Sequence, residues 1–563
     1  MTTTDTNIHP VVYKLLHQRN FTKESMREFF SWNLRELPNF SELKDIAKAA
    51  QRIIQAINNK EKIGVYGDYD ADGTTSCAVL YHFFQLLSTT VNIYQPSRFE
   101  EGYGLHVSSI DTAIKDGIQL LITVDCGITN CEAAQYAAKQ GMDLIITDHH
   151  EDGAPQMPQA YAVVNPSRRD QGDTPLKTLA GVGVAFALCL EIRSHLLKNG
   201  VEVPSIYPLL QFVSIGTICD LAHLCPTNLK LTRHGLKQIP ESSYPGIIAF
   251  FPPEERKFGT IPSEKISFNV GPMINAKGRL DHAQKALQLL LAENSDKAYE
   301  YHSHLEIANR ERKFIQTEVY KEAKENILNN LQGEDPVVNI VYAPHWHEGV
   351  IGIVASKLVE NFEVPAMVFT DSSDEGIIKA SIRSAGELDI FECLHQCSDL
   401  YKKFGGHKAA AGLSMPIENF ATFKERMQKI IGNKPLIERT VQDNFDIYLD
   451  FEDITAELVK SLEILEPFGQ GNNKPIFRMR GFNIDSFKLM KDVHVKWFLS
   501  SKKDPAKKLQ GVSFNYVGKW KQIHPTDLYN RQHLDDLTAQ FTIGINRFNG
   551  KEYLQLMIDK FLI

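Results

Sequence analysis

The sequence predicts an α/β protein. A parallel-sheet domain and a second, smaller α/β domain are joined by a long helix, and a small β-barrel follows at the C-terminal end. Three observations carry this. From Lys62 onward, short continuous apolar runs alternate with helical patterns, which implies a parallel sheet covered on both faces. Residues 295–330 are highly charged, contain neither Pro nor Gly, and precede a fresh set of strand signals at about 336. From about 447 the pattern turns to β. The expected organisation is a helical segment over 1–60, the parallel-sheet domain over 61–280, a connecting helix within 281–335, the second α/β domain over 336–432 and the barrel over 440–563.

Taken in order, residues 1–60 read as helical. Ser41-Glu42-Leu43-Lys44 is the expected start of a packing helix, with Leu43, Ile46, Ala47, Ala50, Ile53 and Ile54 at helical spacing. Ile63 to Gly67 reads as a buried strand, opened by the apolar run Ile63-Gly64-Val65-Tyr66, and 74–87 as a helix. The run Gly67-Asp68-Tyr69-Asp70-Ala71-Asp72-Gly73 therefore lies on the turn between them, at the carboxyl end of a strand, where open α/β sheets bind ligands. Three carboxylates within five residues repel one another unless water or a cation neutralises them. The run also opens like a calcium loop, but the twelfth position, counted from Asp68, is Val79 rather than a bidentate Glu.

Strands are expected over 91–96, 120–124 and 144–147, with helices over 110–116 and 132–140. The second of these strands ends at Asp125 and the third at Asp148-His149-His150. Right-handed crossovers bring such ends to one edge of the sheet. A further carboxylate, Asp220, follows the apolar helical stretch 209–218; it is costly to bury unless paired or metal-bound. Helices are expected over 228–239 and 285–291. Strands then resume over 337–342, 366–369 and 377–381, with a helix over 349–358 whose glycine-marked start suits an anion. In the last segment, strands are read at 447–451, 493–499, 509–514 and 540–545. Asn549-Gly550 marks a hairpin into 553–557, and about five strands suit an OB-like barrel. Lys488, Lys491, Lys496, Lys502, Lys503, Lys507 and Lys508 interleave there with Phe487, Trp497 and Phe514, the composition of a single-strand track.

Carboxylates with imidazole and no thiolate suit Mn²⁺ best, with Mg²⁺ as the other candidate. Five or more ligands exceed the needs of one ion. Two ions about 3.5–4 Å apart, bridged by one carboxylate, form the arrangement that activates water for phosphoester cleavage. The net charge of −8 argues against coating of duplex nucleic acid by bulk electrostatics. No apolar run of membrane-spanning length occurs, residues 1–5 lack signal-peptide character, and the eight cysteines form no C-x-x-C. A cytoplasmic protein with reduced thiols and no membrane association is expected.

Asp70-Ala71-Asp72, Asp125, Asp148-His149-His150 and Asp220 resemble the four motifs of the DHH phosphoesterases. The fuller spellings 67–73 and Gly216-Thr217-Ile218-Cys219-Asp220 look like the branch of single-strand-specific 5′→3′ DNA exonucleases. So do Glu101-Gly102-Tyr103-Gly104-Leu105, the stretches 271–279 and 345–355, and Gly405-Gly406-His407. Met273 stands where that branch usually has a basic residue, and Ile382 where a small one is usual. The resemblance implies that Asp72, Asp125, His149 and Asp220 hold one metal. Asp125 would bridge to a second, completed by Asp70 and, as an open question, Asp68. His150 would bond the scissile phosphate or orient a ligand. Arg279, expected in a glycine-containing loop before a helix, would grip the strand. Arg98, Ser381, Arg383 and the Gly405-Gly406-His407 loop would bind a terminal 5′ phosphate. The implied activity is hydrolysis of single-stranded DNA from its 5′ end to mononucleotides, in repair and recombination. Strand selectivity would come from a tunnel too narrow for a duplex. Single-strand-binding protein and a helicase are the expected suppliers of substrate. A phosphodiesterase acting on short RNA or cyclic dinucleotides, or a non-catalytic replication scaffold, are the competing readings.

Overall fold

The computed structural model describes residues 8–96, 102–280, 284–330, 336–517, 537–548 and 551–562. The chain divides into two compact units. One comprises Met1–Pro272, Ala286–His302 and Asn444–Ile563; the other comprises Met273–Lys285 and Ser303–Asp443.

In the first unit, strands β1 (Ile63–Gly67), β2 (Val91–Tyr94), β3 (Leu120–Val124), β4 (Asp143–Thr147) and β5 (Ala162–Val164) form an all-parallel sheet in the order β2-β1-β3-β4-β5. The chain leaves β1 towards one edge and returns on its other side to lay down β3. The crevice between the ends of β1 and β3 is therefore the switch point at which such sheets bind ligands. Every residue of β1 and β3 is buried, because helices cover both faces. The β5 strand and the Gly181–Lys198 helix go beyond the sequence expectations. Three residues are too few to show a period, and a helix apolar nearly all round shows no amphipathic stripe.

The helix expected from Ser41 begins instead at Ile46. Phe40–Glu42 is a 3₁₀ turn, and Asp45, with φ 62°, turns the chain into Ile46–Asn58. The two preceding helices, Pro10–Gln18 and Lys23–Phe30, serve the far end of the chain. Their buried Val12, Leu15, Leu16, Met26 and Phe29 share one core with Leu458, Leu462, Phe477 and Phe541. Arg19 fastens them there. Its guanidinium donates to both oxygens of Asp446, at 2.7 and 3.0 Å, and to the Asn473 carbonyl.

The second unit carries strands β6 (Asn339–Tyr342), β7 (Ala366–Asp371), β8 (Ile377–Arg383), β9 (Lys403–His407) and β10 (Ala410–Pro416), in the order β6-β7-β8-β10-β9. Only β6 and β7 pair in parallel. Gly405-Gly406-His407 is thus an edge strand and not a loop; glycines carry no strand signal, but the ladder to β10 supplies their backbone bonds. The charged pattern over 295–330 is one continuous helix, Ser295–Asn330. Within this unit its Val319, Ala323 and Ile327 pack on Val350, Val354 and Leu358 of the Glu348–Phe362 helix.

The C-terminal part of the first unit holds seven strands: β11 (Ile447–Leu449), β12 (Phe477–Met479), β13 (Phe482–Met490), β14 (His494–Ser501), β15 (Lys508–Ser513), β16 (Thr538–Phe548) and β17 (Lys551–Leu562). Their order is β11-β12-β16-β17-β15-β14-β13. The β16 and β17 strands pair antiparallel on either side of Asn549-Gly550, which itself lies outside the described residues. Trp497 is not part of an exposed track. It is 1% exposed in the core and donates from Nε1 to Ser513 Oγ at 2.8 Å. Phe487 is half-buried against the same core, whereas Phe514 is 57% exposed. No described helix is long and apolar enough to cross a membrane, and all eight cysteines are free thiols.

Candidate metal centre

The acidic turn after β1 folds as the start of the Ala71–Leu86 helix. Asp70 is its N-cap, accepting from the amides of Asp72 (2.9 Å) and Gly73 (3.0 Å). Asp72, one position into the helix, points the other way. Its two oxygens accept from the amides of Gly181 (2.6 Å) and Val182 (3.0 Å), at the N-terminus of the Gly181–Lys198 helix. Asp125, just past β3, has φ 60°, a left-handed conformation that a non-glycine residue adopts at a cost. A side chain on Gly181 would collide with it: a Cβ there would stand 2.7–2.8 Å from Asp125 Cβ, Oδ1 and Cγ.

Asp148, at the end of β4, organises the two histidines. Its Oδ1 accepts from His149 N (2.7 Å), His150 N (3.1 Å) and His150 Nδ1 (2.8 Å), and its Oδ2 from Ile128 N (2.9 Å). His149 Nε2 then lies 3.1 Å from Asp125 Oδ1, 3.8 Å from Asp72 Oδ2 and 3.9 Å from Asp220 Oδ2. Asp220 reaches this point from the C-cap of the Leu210–Cys219 helix. Among the described residues, three triads have one ligand atom per residue within 4.8 Å of one another: Asp72-His149-Asp220, Asp125-His149-His150 and Asp68-Asp70-Asp125. The acidic and imidazole groups of the turn and the strand ends thus meet at one place, with Asp148 behind them. Asp125 and His149 each belong to two of the triads.

The electrostatics are those of a crowded anionic pocket. Burial, then the charge of Asp70, lifts Asp72 to about 7. Burial, then Asp72 and Asp70, lifts Asp220 to about 9. Asp125 is raised well above its ordinary value by burial and by Asp72, Asp70, Asp68 and Asp220. Burial and the neighbouring His150 lower His149 to about 4, so it is neutral and ready to ligate. His150 goes the other way: burial opposes its charge, but the bond and charge of Asp148 prevail and raise it to about 9. Asp125 Oδ1 and His149 Nε2 are buried and make no hydrogen bond. Orphaned buried acceptors among mutually repelling carboxylates are what a divalent cation satisfies, so the donor set fits one.

Three groups at this centre escaped the residue-by-residue reading: Asp148 as an organiser, Gly181, and Tyr103. The Tyr103 hydroxyl lies 3.0 Å from His150 Nδ1. The signals were the triplet that Asp148 opens and the Tyr103 motif; the glycine-spaced start of the Gly181–Lys198 helix drew no attention.

In the second unit, strand register collects the predicted phosphate contacts. Gly412 of β10 pairs with Ser381 on one side and Gly405 on the other, and Ala410 likewise with Arg383 and His407. Arg383 Nη1 donates to Ser381 Oγ (3.2 Å) and the Ile382 carbonyl (2.8 Å), and burial lowers its pKa. Arg279 stands on the Gly271–Leu280 helix, not in a loop before one, because a helix tolerates an isolated glycine such as Gly278. Its side chain, and the whole of Arg98, lie outside the described residues.

Comparison with known proteins fits this geometry. Residues 62–217 match the DHH family N-terminal domain, 336–433 the DHHA1 domain and 445–560 the RecJ OB domain. The chain is 35% identical over 557 residues to the single-stranded-DNA-specific exonuclease RecJ of Bacillus subtilis, spanning 98% of this chain and 68% of that one. It is 33% identical over 571 residues to the protein of that name from Haemophilus influenzae, spanning 98% and 96%. A crystal structure of RecJ from Thermus thermophilus in complex with Mn²⁺ superposes with a TM-score of 0.77 at 26% identity, covering 98% of this chain and 75% of that one. With its carboxylate and imidazole cage at the switch point of the parallel sheet, the chain belongs to the RecJ family of DHH phosphoesterases.

Proposed function

We propose that the protein is a metal-dependent exonuclease that hydrolyses single-stranded DNA from the 5′ end to 5′-mononucleotides, using two divalent cations, Mn²⁺ in preference to Mg²⁺. The observation that carries this is that Asp68, Asp70, Asp72, Asp125, His149, His150 and Asp220 form three overlapping triads, each within coordinating reach, with Asp125 Oδ1 and His149 Nε2 buried and unbonded. Asp72, Asp125, His149 and Asp220 would hold one ion, and Asp125, Asp70 and Asp68 the other. Bound cations supply Lewis acidity, activating water and neutralising phosphoryl charge.

The chain's own groups do the rest. His150, kept cationic by Asp148, donates to a phosphoryl oxygen as negative charge grows there. Tyr103, beside it, fixes the ring's orientation. Ser381, Arg383 and the β9 residues Gly405, Gly406 and His407 offer hydroxyl, guanidinium and backbone donors to a terminal phosphate; Arg98 and Arg279 add to the grip on the strand. Such an enzyme works in repair and recombination in the cytoplasm, on strands delivered by a helicase and single-strand-binding protein. Product sizing on 5′- and 3′-labelled single strands with Mn²⁺, Mg²⁺ or chelator tests it. Mononucleotides released from the 5′ end are expected, with nothing released in chelator. Asp125→Ala abolishes cleavage at every Mn²⁺ concentration; near-normal turnover in that variant would falsify the two-cation assignment.

A further inference from the structure

On the long helix the exposed Arg310 pairs with Glu306, one turn away, at 3.9 Å. Arg312 is placed differently. It is 6% exposed, yet among the described residues no carboxylate forms an ion pair with it. Its partners are two equally buried amides on the same helix. Nε and Nη2 donate to Asn309 Oδ1 at 3.2 and 2.9 Å, and Nη1 donates to Gln316 Oε1 at 3.1 Å. A guanidinium only donates, so both amides must turn their oxygens towards it. Their N–H₂ groups are left facing away, with no acceptor among the described residues. The triad, spaced at i, i+3 and i+7 on one helix face, therefore offers donors and positive charge outward and nothing negative.

A second cation stands beside it. Lys357, on the Glu348–Phe362 helix, is half-buried with its Nζ 5.6 Å from the Tyr320 ring centre, and it too lacks an ion pair among the described residues. Burial lowers its pKa, Glu360 opposes this, and the charge of Arg312 reinforces it. Two neighbouring cations withdrawn from water, neither in an ion pair among the described residues and with Glu360 acting on Lys357 only from beyond ion-pair distance, are unfavourable in the protein alone. The same helix carries Gly352, where a Cβ would come within 2.9 Å of Ser381 Oγ and 3.2 Å of Arg383 Nη2.

We propose that Asn309, Arg312, Gln316 and Lys357 form an anion site that takes an internal phosphodiester of the substrate strand, separate from the Ser381–Arg383 contact with its terminal phosphate. This rests on the proposed single-stranded DNA substrate. The fixed fork and the amide donors suit a phosphodiester's two unesterified oxygens, and the neighbouring Tyr320 ring is engaged by Lys357.

The test is binding of a fluorescein-labelled 20-mer single strand to the full chain in chelator, across a salt series, for wild type, Arg312→Gln, Arg312→Lys and Lys357→Gln. For Arg312→Gln we expect affinity about tenfold weaker, the loss of one charge-assisted contact. The slope of log K against log salt should become shallower by about 0.7, one phosphate on a single strand. Arg312→Lys should restore the slope but not the full affinity, and Lys357→Gln should flatten the slope similarly. The thermal midpoint of Arg312→Gln should be unchanged or raised. Unchanged affinity and slope in both Gln variants would overturn the site, as would a lowered midpoint with an unchanged slope. Should Arg312→Gln not fold, the slope of Lys357→Gln decides. A wild-type chain that binds no single strand overturns the functional reading itself, which separates the two failures.

Discussion

Gly181→Ala is the sharpest probe of the centre, because it adds one methyl group and touches no ligand's chemistry. A Cβ there would meet three Asp125 atoms at 2.7–2.8 Å. Ordinary contact begins near 3.4 Å, so the carboxylate must retreat by about 0.7 Å. The helix cannot yield instead without loosening Asp72, whose Oδ2 is held by the Gly181 amide at 2.6 Å. Either way a predicted ligand moves. Overpacking of this kind costs about 1–3 kcal/mol of stability. A misplacement approaching 1 Å at reacting groups lowers turnover about 10²-fold. The assay is an Mn²⁺ titration followed by calorimetry and by single-strand cleavage. We expect metal affinity about 10–100-fold weaker, with a fall in kcat that excess Mn²⁺ restores only in part. Gly183→Ala is the milder comparison: its Cβ would meet Leu179 at 3.0 Å and no acid, and it can reach the centre only through the Leu179 backbone bond to His149, so it should weaken metal binding less than Gly181→Ala. Wild-type affinity and turnover in Gly181→Ala, or an equal loss in Gly183→Ala, would refute the reasoning.

Metal binding should release about one proton or more per chain near pH 7, because Asp72 (about 7) and Asp220 (about 9) hold protons that a cation must displace; calorimetry in two buffers of different ionisation enthalpy measures it. In the metal-free protein, the unfolded carboxylates have already ionised near 3.8 and histidine near 6.5, while folded Asp72, Asp220 and His150 keep protons up to about 7–9. The folded state therefore binds more protons from about pH 4 upward, and stability falls as pH rises from about 4, where the carboxylates of the unfolded chain have ionised, to about 9. His149, lowered to about 4, has the opposite sign, but only below 6.5. Thermal melts in chelator should show that decline, and a divalent cation should reverse it. Asp148→Asn should bring the His150 pKa down towards its ordinary value and lower turnover, read by NMR titration of the ring; a ring that still titrates near 9 would remove Asp148 as its organiser. Trp497→Ala should cost about 3–5 kcal/mol in denaturant unfolding, whereas Phe514→Ala should stay within about 0.5 kcal/mol.

What the sequence made legible is what periodicity and local chemistry encode. The acidic run after an apolar strand, and Asp125, Asp148, His149 and His150 after two more, placed the centre, because parallel strands carry their ends to one edge. The Ser295–Asn330 helix was visible because nothing in it breaks a helix. Long-range packing stayed hidden. No local pattern says that the amides of Gly181 and Val182 will hold Asp72, more than a hundred positions away. The β9 and β10 strands are rich in glycine and alanine, which carry little strand propensity, so only their ladder defines them. Trp497 reads identically as core or stacking platform until its neighbours are known. Arg312 looked like any other charge on a solvated helix, because burial is not written in a residue's name.

The sharing of one core by the Pro10–Gln18 and Lys23–Phe30 helices and the last β-strands constrains how the molecule can be made. Arg19 and Asp446 are 427 positions apart. The two helices leave the ribosome long before the strands that cover Val12, Leu15 and Phe29 exist, and must wait with those side chains in water. The C-terminal sheet, for its part, leans on those helices: cut away from residues 10–30 it would keep its ladder yet present a greasy face to solvent, so a fragment built around it has to carry residues 10–30 as well.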